Sequence, residues 1–223
     1  MKAIHLGVPV LRRYDLLRKL LLSAEASTVR PELVMIIDNG NHLDRVAEAM
    51  DSMSLLIEVH TPEIPLGVAE SWNYLIKRLP EERIITNDDI TFEPDSLEKM
   101  AETPGDLVFG YGYSCYLIRD SAVQKIGLFD EAISPGYAYW EDIDYDMRIR
   151  LAVREGTEFV QVNAPCVVNH LGSQTNEWAT AQEIQDHHRK FEIAKTNLWQ
   201  KYKHLPFEEQ HPALQPHLRR EVR

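Results

Sequence analysis

The sequence has little of what marks several large classes of protein. Its 223 residues contain 24 lysines and arginines against 35 aspartates and glutamates, which gives a formal net charge of -11 at pH 7. Broad capture of nucleic acid needs clustered basic side chains, so this balance argues against it. The sequence has 2 cysteines, Cys115 and Cys166, without metal-ligand spacing. We therefore expect both thiols to be reduced and buried, and no structural zinc site.

Long apolar runs and repeats are also missing. No run of about 18 apolar residues occurs, so we expect no membrane span. The opening MKAIHLGVPV has too short an apolar stretch, and no cleavage-site pattern, for a secretory signal. These absences predict a cytoplasmic protein. There is no internal repeat, and the length suits one ordinary domain with an appendage.

What is present is a regular alternation of strand-like and helix-like segments. Apolar runs predict strands in KAIHLGVPV, ELVMIID, SLLIEVHT and RIITND, and amphipathic stretches between them predict helices. This pattern is typical of an α/β fold, a three-layer α/β/α sandwich around a mostly parallel sheet. Near Asn176 the composition becomes more charged and helical. We therefore predict one domain over residues 1–175, and a C-terminal helix with an extended tail over 176–223.

Two polar clusters follow predicted strands. Asn87, Asp88 and Asp89 come directly after RIIT, and His170 follows the apolar run CVV. Adjacent carboxylates repel each other unless water, a hydrogen-bond donor or a cation lies between them. The simpler interpretations are a solvated acidic turn and a hydrogen-bonded core histidine.

A third polar cluster lies at the start of the helix predicted to begin near Glu141. The cluster consists of Glu141, Asp142, Asp144 and Asp146. Carboxylates in a first turn favour the helix dipole, and Asp144 can pair with Arg148 one turn later, so a structural role is again the simpler interpretation. Asp142 and Asp146 share one face, however, and concentrate more negative charge there than capping requires.

The three clusters can meet only at the carboxyl edge of the sheet, where ligands of open α/β sheets bind. Oxygen ligands with one imidazole suit Mg²⁺ or Mn²⁺, and such an ion usually completes its shell with water and substrate phosphates. The sequence therefore predicts a metal-diphosphate site.

The order of motifs resembles the family 2 glycosyltransferases, which have the GT-A fold of nucleotide-diphospho-sugar transferases. The resemblance runs from residue 1 to about 175. It is carried in order by GVPVLRRYDLLRKLLLSA, VMIIDNGN, LGVAESWNYLI, NDD, KIGLFDEAI, WEDIDYDMRIR and VNHLGS.

The resemblance implies a role for each matching residue. Nucleotide-sugar binding is expected from Pro9, Asp38, Gly67, Asn73, Asn87 and Asp88. The metal is expected on Asp89 first, with Asp88 direct or through water and His170 as a third ligand. Asp142 is the expected general base, with Glu141 as the second choice. A weaker expectation places acceptor or sugar contacts on Tyr113, Trp140 and Asp144.

The implied reaction is an inverting transfer of one hexosyl or deoxyhexosyl group to an acceptor hydroxyl. The donor is expected to be a UDP-sugar first, or a dTDP- or GDP-sugar. The acceptor is a glycan, lipid, protein or modified nucleotide, and the tail over 176–223 is a possible homodimer contact. Two departures matter: Asn87 replaces the first aspartate of the Asp-x-Asp motif, and the Gln-x-x-Arg-Trp signature of processive synthases is missing.

Two other functions stay open. A sugar nucleotidyltransferase should show a glycine-rich, basic phosphate loop near the N-terminus, whereas LGVPVLRRYD offers only Gly7 with Arg12 and Arg13. A catalytically degenerate nucleotide-sugar-binding module would explain Asn87 as a mark of lost activity.

Overall fold

The structure is a computed structural model that describes residues 3–137, 139–171, 180–206 and 211. Its strands are β1 His5–Val10, β2 Leu33–Asp38, β3 Ile57–His60, β4 Arg83–Thr86, β5 Ile90–Phe92, β6 Leu107–Tyr111, β7 Cys115–Ile118, β8 Gln161–Asn163 and β9 Val168–His170. Its helices are α1 Tyr14–Glu25, α2 Leu43–Met50, α3 Val68–Arg78, α4 Ser96–Glu102, α5 Asp120–Ile126, α6 Glu141–Arg154 and α7 Ala181–Tyr202. Strands and helices alternate through the first half, as the apolar pattern predicts.

A seven-stranded sheet forms the centre, in the order β3-β2-β1-β4-β7-β6-β8. β1 pairs in parallel with both β2 and β4, and β2 pairs in parallel with β3. β7 runs antiparallel to its neighbours β4 and β6, while β6 and β8 are parallel. The strands other than β7 therefore share one direction, and their carboxyl ends lie at the same edge.

Helices cover both faces of this sheet. In α1, Leu17, Leu20, Leu21 and Ala24 are completely buried, and they pack with Leu6, Val8 and Val10 of β1 in one apolar core. The alternate position Gly7 faces the other layer, where a Cβ would lie 3.0 Å from a methyl group of Leu79 and 3.1 Å from one of Leu75. β1 is therefore buried on both faces, as expected of a central parallel strand.

A separate two-stranded sheet pairs β5 with β9. The strands are antiparallel, with Ile90 opposite His170 and Phe92 opposite Val168. This sheet brings the segment after β4 against a segment almost 80 residues later. It therefore places the turn that contains Asp89 beside His170.

The predicted three-layer α/β fold and its mostly parallel sheet are confirmed. The reversed strand β7, the small β5–β9 sheet and helix α4 were not predicted. The expectation for the cysteines was only partly right, because Cys115 is buried but Cys166 is half-buried; both thiols are free. The seryl position of VNHLGS lies outside the described residues, as do residues 176–179, 207–210 and 212–223 of the predicted C-terminal segment. No helix in the described part of the chain combines the length and apolarity needed to cross a membrane.

A buried ion pair between Arg119 and Glu82 stabilises the amino end of β4. Arg119 donates through Nε and Nη2 to the two carboxylate oxygens of Glu82, each at 3.1 Å. Its remaining N–H groups bond to the backbone carbonyls of Ala101, Thr103 and Gly105. The two side chains are 11% and 4% exposed. One guanidinium therefore joins the end of α4 to β4.

We predict that Arg119→Met lowers the free energy of unfolding by about 3–5 kcal/mol, because it leaves the Glu82 carboxylate buried without its cation. Urea denaturation at neutral pH measures the effect. The matched control is Arg189→Met, because the Arg189 side chain is 69% exposed and its contact with Asp186 spans 3.7 Å. Equal and small losses in both variants would contradict a structural role for the buried pair.

Candidate functional site at the carboxyl edge

The end of β2 holds a completely buried carboxylate, Asp38. Its Oδ1 accepts a hydrogen bond from the Tyr14 hydroxyl at 2.5 Å, and its Oδ2 accepts one from the backbone N–H of His42 at 2.8 Å. Burial and this hydrogen bond raise the pKa of Tyr14 well above its usual value, so the phenol keeps its proton. Asp38 therefore holds the β2–α2 loop against α1, and its predicted contact with a nucleotide stays a prediction.

The β1–α1 and β2–α2 loops are in direct contact above Asp38. A Cβ at Gly40 would lie 2.2 Å from the backbone oxygen of Leu11 and 2.2 Å from the Tyr14 hydroxyl oxygen, so only glycine fits. Pro9 lies in β1 opposite Ile37, beyond the part of the strand that pairs with β4. Its predicted role in nucleotide-sugar binding stays a prediction.

Gly67 and Asn73 both support the loop that precedes α6. A Cβ at Gly67 would lie 2.6 Å from the backbone nitrogen of Tyr137. The Asn73 side chain exchanges two hydrogen bonds with the backbone of Phe129, both at 2.9 Å, and donates to the Glu131 carboxylate at 2.8 Å. Their predicted role toward a nucleotide stays a prediction, and what the structure shows is a structural role.

The acidic pair after β4 lies in a poorly hydrated position. Asp88 is 7% exposed and Asp89 is 6% exposed. Burial, and then the neighbouring charge of Asp89, raise the pKa of Asp88 to about 7. Asn87 is only half-buried, and its backbone N–H donates to the carbonyl of Ser114 at 2.8 Å. The turn is therefore anchored through its backbone while its carboxylates repel each other.

His170 approaches the same turn through the β5–β9 sheet. Its Nε2 lies 3.3 Å from Oδ2 of Asp89, and the backbone N–H of Leu171 donates to the Asp89 carbonyl at 2.9 Å. Asp89 Oδ1 is buried and has no hydrogen-bond partner among the described residues. The structure therefore brings together Asp88, Asp89 and His170, as the sequence predicted.

A basic residue that the sequence interpretation did not place here lies near the pair. Arg13 is 7% exposed, and its guanidinium chelates the Asp15 carboxylate with bonds of 2.9 and 2.8 Å. Its positive charge also lowers the pKa of Asp88, against the larger effect of burial. The sequence puts Arg13 just after the first predicted strand, but nothing in the sequence indicates where its side chain points.

The first turn of α6 carries the third cluster. Glu141 is 4% exposed, its Oε2 accepts a hydrogen bond from Ser134 Oγ at 3.0 Å, and burial raises its pKa to about 7. Asp142 Oδ1 accepts a bond from the backbone N–H of Ile143 at 2.8 Å. Burial, and then repulsion from Asp146, raise the pKa of Asp142. These carboxylates are therefore more basic than surface aspartates and glutamates.

The chain enters α6 through two strained residues. Tyr139 has φ 92° and Trp140 has φ 73°, which is left-handed backbone that bulky side chains seldom adopt. Such strain persists only where surrounding packing enforces it, and it is concentrated at functional sites. The entry to the Glu141–Asp142 pair is therefore held by contacts and not by local preference.

The β6–β7 turn, residues 111–114, touches all three clusters. The carbonyl of Ser114 accepts the Asn87 N–H, the ring of Tyr111 lies 4.9 Å from the His170 ring between centroids, and the Tyr113 hydroxyl donates to Asp146 at 2.7 Å. Each contact is with a different cluster. This turn therefore places the acidic pair, His170 and the face of α6 that carries Asp142 around one region.

The weaker sequence candidates have different surroundings. Tyr113 is half-buried, and burial with the nearby Asp146 raises its pKa. Trp140 packs against Phe191 at 5.2 Å, and its indole N–H is buried without a partner among the described residues. Asp144 is completely buried and bonded to Arg148, Lys201 and Tyr202, so it has no surface to offer a sugar.

The acidic pair and His170 offer the types of ligand that a divalent cation prefers. Hard oxygen ligands and one imidazole are present, and the buried, unpartnered Asp89 Oδ1 is an orphan that a cation would satisfy. Within the described ranges, no group of three or more histidine, cysteine or acidic side chains is arranged so that it could hold a metal ion by itself. The protein therefore supplies part of a coordination shell, which suits an ion that is completed by phosphate oxygens and water.

We predict that Asp88→Asn stabilises the fold, and more so as pH rises. The folded-state pKa of about 7 lies above the ordinary value of 3.8, so the folded protein loses stability as Asp88 ionises between those values. The stabilising effect of the substitution should therefore grow by about 2 kcal/mol between about pH 5 and pH 8. Urea denaturation in EDTA measures it. In the exposed control Glu158→Gln, the effect on stability should not increase with pH. If the effect of Asp88→Asn were the same at pH 5 and pH 8, the raised pKa of Asp88 would be refuted.

Comparison with protein-family models and with curated proteins finds no match. Comparison with solved structures finds several matches. The mannosyltransferase PcManGT from Pyrobaculum calidifontis, in complex with GDP-Man and Mn²⁺, is 13% identical with a TM-score of 0.56, over 84% of this chain and 63% of that one. S. aureus TarS 1-349 in complex with UDP-GlcNAc is 13% identical with a TM-score of 0.57, over 89% and 67%.

GalNAc-T7 with UDP, GalNAc and Mn²⁺ is 10% identical with a TM-score of 0.62, over 90% of this chain and 50% of that one. The chain thus spans about half to two thirds of the length of these structures. At such low identity the comparison shows the fold. The GT-A fold that the sequence motifs implied is confirmed: this chain has the fold of nucleotide-sugar glycosyltransferases.

Proposed function

We propose that this protein is a metal-dependent, inverting glycosyltransferase of the family 2 type, which moves one sugar from a nucleoside diphosphate to an acceptor hydroxyl. One observation carries the proposal. Asp89 presents a buried, unpartnered oxygen beside Asp88 and His170, at the carboxyl edge of a fold shared with nucleotide-sugar transferases. Two acidic groups at that position are unfavourable alone and favourable around a cation.

Asp89 and His170 would hold Mn²⁺ or Mg²⁺, with Asp88 beside them. When bound, the ion neutralises charge on the leaving nucleoside diphosphate. Asn87 in place of an acidic residue removes one negative charge from this group, and Asp88 replaces it one position later. Arg13, buried near Asp88, adds a fixed positive charge on the side where phosphates would lie.

Three neighbours support a nucleoside-diphosphate sugar as donor, since their structures contain GDP-Man, UDP-GlcNAc, or UDP with GalNAc. We propose a UDP-sugar first. Asp38, Gly40 and Tyr14 fill the space between the β1–α1 loop and the β2–α2 loop. The donor must therefore either move these two loops apart or bind on the surface beside them. The proposed acceptor is a hydroxyl group of a glycan, lipid, protein or modified nucleotide.

Asp142 is the proposed general base. It is the second residue of α6, and it is close enough to Asp146 for repulsion to raise its pKa. Asp146 is bonded to the β6–β7 turn, which also contacts Asn87, the residue before the acidic pair. A raised pKa strengthens a carboxylate as proton acceptor. Glu141 is the weaker candidate, because it is more deeply buried and already holds Ser134.

A binding module without activity is the second candidate, favoured by the single observation that Asn87 stands where an acidic residue is expected. Such a module would still bind a nucleoside diphosphate. It would not hydrolyse or transfer the sugar. The two candidates are therefore separated by turnover and not by affinity.

We predict that the wild-type protein binds UDP more tightly with Mn²⁺ than with EDTA, by about tenfold or more, because the diphosphate completes the ion's coordination. Isothermal titration calorimetry with UDP, GDP and dTDP measures this. Asp89→Asn should abolish the Mn²⁺ effect, while the exposed control Glu158→Gln should keep it. If UDP bound equally tightly with Mn²⁺ and with EDTA, the proposed metal site would be wrong.

We predict that Asp142→Asn reduces donor hydrolysis by about 100-fold or more at pH 7 while leaving UDP binding unchanged, because it removes the proton acceptor and not the metal ligands. Release of nucleoside diphosphate from a panel of activated sugars measures turnover. Glu141→Gln, which can still accept the Ser134 bond, should lose less. Undiminished hydrolysis by Asp142→Asn would remove that residue as the base.

A further inference from the structure

Helix α7 packs along the segment that precedes and begins α6. Its 22 residues extend over about 33 Å. Leu198 and Tyr202 are buried against Ile133 and Met147, in a core separate from the two cores of the main sheet. The helix therefore shares a core with the catalytic segment, which we define as residues 130–144.

The carboxyl end of α7 is tied to Asp144 by buried polar contacts. Lys201 Nζ donates to Asp144 Oδ1 at 2.6 Å, and the Tyr202 hydroxyl donates to the same oxygen at 2.8 Å. Asp144 Oδ2 accepts a bond from Arg148 Nε at 2.9 Å within α6. Lys201 also reaches Asp130 at 2.7 Å. One lysine thus joins both ends of the catalytic segment.

The remainder of α7 contacts the middle of this segment. Asn197 donates to the backbone carbonyl of Ile133 at 3.1 Å. The ring of Phe191 lies 5.3 Å from the Tyr139 ring and 5.2 Å from the Trp140 ring, between centroids. These are the two residues with left-handed backbone. α7 therefore packs against the strained entry to α6.

The first turn of α7 also reaches the donor side of the site. Glu183 forms an ion pair with Arg12, in the β1–α1 loop next to Arg13. Both side chains are partly exposed, so this pair alone contributes little to stability. It shows, however, that one helix spans from the loop near the acidic pair to the start of α6.

We propose that α7 is part of the functional site and that Lys201 and Tyr202 are positioning residues, which act through Asp144 to fix the Glu141–Asp142 carboxylates. This rests on the proposed function, in which Asp142 is the base. Asp144 lies two residues after Asp142 in the same first turn, so a clamp on Asp144 sets where that turn points. The clamp is needed because Tyr139 and Trp140, which lead into α6, have strained backbone.

The two variants that test the clamp differ in severity. Tyr202→Phe removes one hydrogen bond and keeps the ring. Lys201→Met removes the cation shared by Asp130 and Asp144 and is the more disruptive change. Lys203→Met is the matched control, because Lys203 is the exposed residue directly after α7, and its Nζ contacts Gln200 and the Trp199 ring instead of the catalytic segment.

Three readouts are measured on the full chain: UDP affinity with Mn²⁺ by calorimetry, kcat and KM for donor hydrolysis, and backbone hydrogen exchange. Tyr202→Phe and Lys201→Met should lower kcat by about 10- to 100-fold, because small displacements of a catalytic group are costly. KM and UDP affinity should change less than about threefold. Exchange should rise over 130–144 and stay unchanged over β1 and β4. Lys203→Met should match the wild type in all three.

Two outcomes overturn the inference. In one, the clamp variants keep wild-type kcat and wild-type exchange over 130–144. In the other, exchange rises throughout the chain in both variants, which is a general loss of stability. If the wild type binds no nucleotide, the proposed function fails by itself. The exchange measurement then still decides whether Lys201 and Tyr202 order the catalytic segment.

Discussion

The structure depends on a conflict between burial and charge at the end of β4. The strand ends in the core, so Asp88 and Asp89 are placed where hydration is poor, next to each other. The free-energy cost appears as the raised pKa of Asp88 and as an Asp89 oxygen without a partner in the described part of the chain. A fold does not keep such a pair for stability, because replacing it would be favourable. Under the proposed function, a cation and a diphosphate would relieve this cost.

Around this pair, most polar residues at the carboxyl edge serve to fix loops. Asp38 holds α1 and the β2–α2 loop, Asn73 holds the chain at Phe129, and Glu141 holds Ser134. Their hydrogen bonds are satisfied within the protein, so they stabilise the frame. Asp89 differs from them in having an oxygen left over. This contrast between satisfied and unsatisfied carboxylates is the reason that the proposed site is centred on Asp89.

The sequence predicts local structure well and long-range pairing poorly. Strands β1, β2 and β4 were predictable because buried strands leave apolar runs in the sequence. The start of α6 at Glu141 was predictable because acidic residues are favoured in the first turn of a helix. The pairing of β5 with β9 was not, because strands of three residues carry almost no pattern. The sequence suggested that Asp89 and His170 meet, but not that Arg13 lies near Asp88, or that Asn73 bonds to Phe129. α7 appeared to be an appendage because the partners of Lys201 are more than 50 residues away.

The reversed strand β7 has a consequence for how this chain folds. In the central sheet, β7 lies between two groups of strands: it pairs with β4 on one side and with β6 on the other. Strands β6 and β8 are therefore connected to β1, β2, β3 and β4 through β7. β6 and β7 form a hairpin of local contacts, which assembles quickly, and its docking onto β4 is the slower, long-range event. The same docking brings the Ser114 carbonyl to the Asn87 N–H. Until it occurs, β4 is an open edge ready to pair with another chain, so completing the sheet, protecting it from aggregation and assembling the acidic turn are a single cooperative step.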